Sequence, residues 1–283
     1  MNYLYDYHIH TTYSVDGKNT LLEVCKSAVE KGLKEIAITD HFEPTSKDEK
    51  YEIYKPNNLL LEVAEANEIF RGKLKVKVGV ELGQPHLFSS TSQALVNSVP
   101  FDYVVGSVHK LPGDIDVNEI DYNSVALEEI CQIYINQVKK LVINADFNCV
   151  GHIDLIKRYS TDIYKSRITL MMQQELLKQI FKILILKGKG IELNTSGLRQ
   201  APKETMPGID VLKLYHELGG EILTIGSDAH CANDVGKDLE TGIEIARQAG
   251  FKYLTLFSNR IPEWIMISDK KNFYYIGRSK NII

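Results

Sequence analysis

Long apolar runs are missing from this sequence. The most apolar stretch, residues 180–186, is broken by Lys182 and falls far short of the roughly 20 apolar residues a membrane-spanning helix needs. The opening MNYLYDYHIHTT has neither a basic n-region nor an apolar h-region, so a cleaved signal peptide is not expected. Cysteine is sparse. Cys25, Cys131, Cys149 and Cys231 are scattered without a CxxC pair, which points to a reduced, cytoplasmic protein with buried apolar thiols; Cys231 stands apart because it follows His230. An excess of one charge is also lacking, with 33 basic against 37 acidic residues and a net charge of −4. That balance argues against broad electrostatic binding of nucleic acid or anionic membrane, and for a small-molecule partner. No GxGxxG, Walker A or GxSxG pattern occurs, so the usual dinucleotide, P-loop and acyl-serine chemistries have no foothold. Nor does any Pro/Gly/Ser-rich linker, composition shift or internal repeat divide the chain. One domain over 1–283 is expected, as a monomer or small homo-oligomer.

What is present is an alternation. Short β-branched runs predict strands over 3–8, 35–39, 75–80, 103–107, 148–151, 190–193, 221–225 and 253–256. Amphipathic patterns between them predict helices over 20–31, 57–71, 125–144, 168–187, 209–218 and 239–249. Gly32 and Gly250 follow two of these helices as C-terminal stops, and Pro56 precedes another. Repeated strand–helix alternation implies a mainly parallel sheet with right-handed crossovers. At this length the economical form is a distorted TIM-like (β/α)7–8 barrel, with functional groups at the C-terminal rim of the strands. An open doubly wound sheet is the competitor, but its glycine-rich first turn is absent.

That rim can be read off the strand ends. Strand one ends in His8-Ile9-His10, strand two in Asp40-His41, strand three in Glu81. Later strands run into His109, His152, Asn194 and Asp228-Ala229-His230. Each feature alone is weak, because a single His or Glu at a strand end is more often structural or solvated. Together they are not, because six of eight histidines fall at one end of successive strands. Imidazole with carboxylate suits zinc, manganese or iron, and so many groups exceed the ligands of one ion. Two or three metals sharing a bridging carboxylate, Glu81 or Asp228, follow. Such a site activates water and stabilises charge during displacement at phosphorus.

The segments HIHTTYSVDG, AITDHF, GVEL, VGSVHKLP, VGHIDLIKRY and IGSDAH, in this order, resemble the polymerase-and-histidinol-phosphatase (PHP) family, and within it the histidinol-phosphate phosphatase branch. The resemblance implies a distorted barrel with a trinuclear site for zinc, iron or manganese. It implies that His8, His10, Glu81 and Asp228 hold one metal, Glu81, His109 and His152 a second, and Asp16, His41 and His230 a third. Asp16 stands where some relatives place a His, so the third site is expected to be more oxygen-rich. Asp40 is expected behind the ligands rather than among them. The implied activity is hydrolysis of L-histidinol phosphate, with Asp228, His230 and Glu81 as the catalytic groups.

A dianionic phosphomonoester also needs cationic forks. Arg158, Arg199 and Lys110 lie near the strand-end motifs, and the resemblance favours the two arginines; Asn194 is a candidate for orienting substrate. Two features are read as bystanders. Asp114-Ile115-Asp116-Val117-Asn118 is taken as a solvated loop, and Lys73, Lys75 and Lys77 as the polar face of a strand. The rival readings are a nucleotide-directed phosphodiesterase of the same family, a catalytically silent metal-binding domain, and an amidohydrolase-type barrel. The first lacks a basic groove, the second would show gaps in the ligand set, and the third has no cause to keep both arginines.

Overall fold

The computed structural model describes residues 4–44 and 54–267, with the backbone alone of 273–277. Its strands are β1 Tyr5–Ile9, β2 Glu35–Ile38, β3 His41–Phe42, β4 Lys75–Gly83, β5 Tyr103–Ser107, β6 Lys110–Leu111, β7 Ile115–Asp116, β8 Cys149–Val150, β9 Gly190–Asn194, β10 Leu223–Gly226, β11 Tyr253–Ser258, β12 Ile261–Ile267 and β13 Phe273–Gly277. Its helices are α1 Leu21–Glu30, α2 Pro56–Ile69, α3 Ser89–Val96, α4 Leu127–Asn144, α5 Ile156–Tyr164, α6 Gln174–Leu186, α7 Ile209–Glu217 and α8 Leu239–Gln248. No helix among the described residues is long and apolar enough to cross a membrane.

Seven strands run in the order β1-β2-β4-β5-β8-β9-β10, all parallel, with β3 added beside β4. The sheet curls until its ends meet. His10 N–H donates to the Ala229 carbonyl (2.8 Å) and Ala229 N–H to that of His8 (3.3 Å), across an Ile9–Ala229 bridge. The result is the expected distorted barrel, nearly closed. Amphipathic helices pack outside; α1, for example, buries Leu21, Val24, Cys25 and Ala28, and Thr20 and Glu23 cap its start reciprocally.

The expected eighth barrel strand is the main departure. Residues 253–258 form β11, which pairs antiparallel with β12, and β12 with β13, in a separate three-stranded sheet. That sheet seals the N-terminal end of the barrel. Tyr7 stacks on Tyr103 and Tyr103 on Phe257, each at 5.2 Å, while Phe257 N–H donates to the Tyr7 hydroxyl (3.1 Å). A strand carrying the end plug cannot also close the wall, so β1 and β10 close it instead. Lys77 is likewise not on a polar face. It is buried, and its ammonium reaches Asp102 (3.2 Å) and Ser258 (3.1 Å). The helix expected over 168–187 begins with a 3-10 turn, Leu170–Gln173, before α6. Helices α3 and α5 escaped the periodicity reading because each is short and one is rich in Ser and Thr. The strand expected over 3–8 begins at a residue outside those described, as do the side chains of Phe273, Tyr274 and Tyr275.

One irregularity sets the site. Between Asp6 and Ile9, β1 advances three residues while β2 advances two, from Ile36 to Ile38. This bulge inverts the alternation, so Tyr7 joins the aromatic plug while His8 faces inward above it. The space for His8 is made by Gly226, where a Cβ would lie 2.4 Å from the His8 Cβ and 2.7 Å from a Glu192 oxygen. Gly226→Ala is therefore expected to lower stability by about 1–3 kcal/mol and to displace His8. Urea unfolding together with metal binding checks this; an unchanged midpoint and unchanged affinity would refute it.

Candidate metal centre

The site assembles because a long strand, β4, crosses the barrel mouth. Glu81, expected from the sequence at the end of its strand, lies inside β4, which continues to Gly83, and is fully buried. Its Oε2 faces His8 Nε2 (3.2 Å), His10 Nε2 (3.5 Å) and His41 Nδ1 (3.0 Å). Its Oε1 faces His152 Nε2 (2.9 Å) and His109 Nε2 (3.2 Å), and accepts from the Ser107 hydroxyl (2.7 Å). Asp228, held at a positive φ of 53° beyond β10, brings Oδ1 to His10 Nε2 (3.4 Å) and His8 Nε2 (3.8 Å). Asp16 meets His230 (3.0 Å) and His41 (3.8 Å) at the outer edge. All nine residues singled out as ligands thus converge on one pocket.

Four overlapping groups have ligand atoms within 4.8 Å of one another: His8, His10 and Asp228; His8, Glu81 and His152; His10, His41 and His230; and His41, Glu43 and His109. His8 Nε2, His10 Nε2, His41 Nδ1 and Glu81 Oε2 are buried and have no hydrogen-bond partner. Polar atoms orphaned together in a dry site are costly, and cations placed among them remove the cost. The donor set therefore fits divalent metal of the zinc, iron or manganese kind.

Electrostatics agree. Burial opposes charge on Glu81, but His8, His109 and His41 hold its carboxyl well below the usual range. Burial likewise opposes ionisation of Asp228, and Arg158 and His8 overcome it. Burial also disfavours charge on His41, yet Glu81 and Glu43 push its pKa up to about 10. His10 goes the other way: burial, then His230 and His41, press it well below its ordinary value. The carboxylates stay ionised and demand positive charge nearby, which protons supply until metal replaces them.

Behind the ligands lies a layer of orienting groups. Glu192 Oε1 takes the proton of His8 Nδ1 (2.6 Å), and its Oε2 accepts from the His152 backbone N–H (2.8 Å). Ser14 donates its only hydroxyl proton to Asp40 (2.8 Å), so it must accept from His10 Nδ1 (3.0 Å). Both histidines are thereby held with Nε2 bare toward Glu81. Asp40 also accepts from the Thr11 N–H (2.5 Å) and hydroxyl (2.7 Å), tying the loop after β1 to β2. Glu43 bonds His109 Nδ1 and accepts from Gln84 (2.6 Å), in room left by the missing side chain of Gly83.

The sequence reading passed over Glu43, Glu192 and Ser14. Two had a signal. Glu43 follows His41 by two residues, the same side of an extended chain, and Glu192 is a carboxylate inside an apolar strand.

The pocket, about 160 Å³, is lined by Asp16, His41, Glu43, His109, His152, Asp228 and His230 and by Val15, Asp116, Asn118, Leu155, Arg158 and Tyr159, with His8, His10 and Glu81 fully buried beneath it. Arg158 Nη2 donates to Asp228 (2.6 Å) and Ser196 (3.0 Å), while its Nε is unpartnered. The other proposed substrate contacts are engaged elsewhere. Arg199 donates to the Ser227 carbonyl (2.7 Å), Lys110 pairs with Asp114 (3.2 Å), and Asn194 accepts from the Ser196 N–H (3.0 Å) and hydroxyl (2.6 Å). None of the three lines the pocket.

A PHP domain model matches residues 6–196. The chain is 31% identical over 256 residues to a histidinol-phosphatase of Lactococcus lactis, covering 89% of this chain and 94% of that one. It is 26% identical over 273 residues to a histidinol-phosphatase of Bacillus subtilis, covering 84% and 98%. The solved structure of the Lactococcus lactis histidinol phosphate phosphatase, complexed with zinc, L-histidinol and phosphate, superposes with a TM-score of 0.82 at 28% identity, over 92% of this chain and 98% of that one.

Because Glu192 fixes both His8 and the His152 backbone, Glu192→Gln is expected to weaken metal binding by about 10- to 100-fold with the fold retained. Competition against a chromogenic chelator, with circular dichroism as the control, measures it. Wild-type affinity in a folded variant would remove Glu192 from the site.

Proposed function

The chain belongs to the PHP family, and from that membership we propose that it is a metal-dependent phosphomonoesterase, hydrolysing L-histidinol phosphate to L-histidinol and phosphate in histidine biosynthesis. The observation that carries the reading is the convergence of six imidazoles and three carboxylates on a pocket that also holds a guanidinium. His8, His10, Glu81 and Asp228 would hold one ion, Glu81, His109 and His152 a second, and Asp16, His41 and His230 a third. Such ions supply Lewis acidity and lower the pKa of water, so that a nucleophile exists at neutral pH.

The chain's own groups do the rest. Arg158 is braced through Nη2 and keeps Nε for a phosphate oxygen, offsetting charge on the transferring group. Among the four substrate contacts expected from sequence it is the one in the pocket, so the phosphate is assigned to it rather than to Arg199, Lys110 or Asn194. Asp228 spans the ligands and the arginine, with one oxygen toward each. It is placed to receive the proton of the attacking water as the new P–O bond forms and to return it to the alcohol oxygen as the ester P–O bond breaks. Glu81, between all five inner imidazoles, fixes the spacing on which these roles depend.

In this reading residues 1–283 act as one cytoplasmic domain, a monomer or small homo-oligomer, on a free small molecule without nucleic acid or membrane. The near-neutral charge and unpaired cysteines support it.

Phosphate release from the metal-loaded protein, compared over L-histidinol phosphate, sugar and other amino-alcohol phosphates and a dinucleotide diester, tests the proposal. The highest kcat/KM is expected for L-histidinol phosphate, and preference for the diester would overturn it. His10→Ala is expected to lose most metal and activity together. Arg158→Ala is expected to keep its metal while kcat/KM drops by about 100-fold or more; full activity in that variant would remove Arg158 from phosphate recognition.

A further inference from the structure

Once the metal ligands, Glu43 behind His109, and Arg158 are assigned, five pocket residues have no role: Val15, Asp116, Asn118, Leu155 and Tyr159. One of them is an acid. Asp116 belongs to the stretch that reads in sequence as a solvated loop, and the structure corrects that reading. Residues 110–116 form the hairpin β6–β7, with Lys110 opposite Asp116 and Leu111 opposite Ile115. The hairpin is anchored. Leu111 and Val117 are buried, Val117 N–H donates to the carbonyl of His109 (2.9 Å), and the Tyr122 hydroxyl donates to the carbonyl of Val117 (2.7 Å). The chain that delivers His109 to the site thus returns to set Asp116 on the pocket wall.

The Asp116 carboxylate is half-buried. One oxygen accepts the Asn118 N–H (3.0 Å), and among the described residues no basic side chain pairs with it. An anion at a pocket otherwise arranged for an anionic phosphate does nothing for the phosphate, and it repels one. It suits a substrate whose other end is cationic. In an amino-alcohol phosphate the ammonium stands one carbon from the ester carbon, so a phosphate at Arg158 keeps the ammonium within the same small pocket that Asp116 lines. Leu155 and Tyr159 then supply an apolar, planar surface for a ring further out.

Resting on the phosphatase reading above, we infer that Asp116 determines specificity: its carboxylate accepts a charge-assisted hydrogen bond from the substrate's ammonium and selects amino-alcohol phosphates over uncharged ones. Asp116→Asn tests this cleanly, because the amide oxygen can still accept the Asn118 N–H and hold the turn.

The readout is the ratio of kcat/KM for L-histidinol phosphate to that for its amine-free analogue, 3-(imidazol-4-yl)propyl phosphate, in metal-loaded wild type, Asp116→Asn and Asp116→Glu. The wild type is expected to favour the amine. The ratio is expected to fall by about 10- to 100-fold in Asp116→Asn and to recover in part in Asp116→Glu. A ratio unchanged in Asp116→Asn, or a wild type indifferent to the amine, overturns this inference and leaves the phosphatase reading standing. A wild type that hydrolyses neither compound overturns both.

Discussion

A single carboxylate, fully buried, stands within 3.5 Å of five imidazole nitrogens, and much of this molecule can be understood as the consequence. Glu81 cannot be ionised alone in a dry barrel, and five neutral rings cannot crowd it with bare lone pairs unless cations sit among them. Protons or metal must therefore fill the centre. The layer behind the ligands is tuned to make metal the better filler. Glu192 and Ser14 occupy the far nitrogens of His8 and His10, which leaves the near ones bare. His10, pressed toward neutrality by its neighbours, is already in the form a metal takes.

The backbone bends to the same demand. The bulge in β1 turns His8 inward directly after Tyr7, Gly226 clears the space it enters, and Asp228 adopts a left-handed conformation to reach it. Each is a local departure from regular strand geometry, and all three cluster where the strands open into the pocket. The other end of the barrel is built from packed aromatic rings. Its interior is filled by Tyr7, Tyr103 and Phe257 in continuous stacking, sealed by a sheet none of whose described side chains lines the pocket.

The barrel and its ligands were legible in the sequence for one reason: strand periodicity locates strand ends, and metal chemistry demands particular residue types there. His8, His10, His41, His109, His152 and His230 carry both signals. The orienting groups carry only half. Glu192 is chemically conspicuous but lies within a strand, and Ser14 is an ordinary loop serine until its three-dimensional partners are known. Closeness in sequence to a strand end does not by itself fix where a long side chain turns: Arg199 reaches the Ser227 carbonyl and Asp238. The last strand misled because local pattern identifies a strand without naming its neighbour. Whether 253–258 pairs with β1 or folds back on 261–267 is decided by the tight connection between the two, where Asn259 and Arg260 adopt positive φ.

The seam between β1 and β10 carries a further meaning for how the molecule comes into being. His8 and His10 belong to the first strand, whereas Asp228 and His230 follow the last strand of the wall, and they meet only across the Ile9–Ala229 bridge. The proposed metal-ligand set is thus a contact between residues far apart in the sequence, among the costliest to close in loop entropy. A growing polypeptide holds no complete set until His230 has been made. Metal held by these residues would join the two ends of the wall, so an ion that equips the pocket for chemistry would also be the clasp that records completion of the fold.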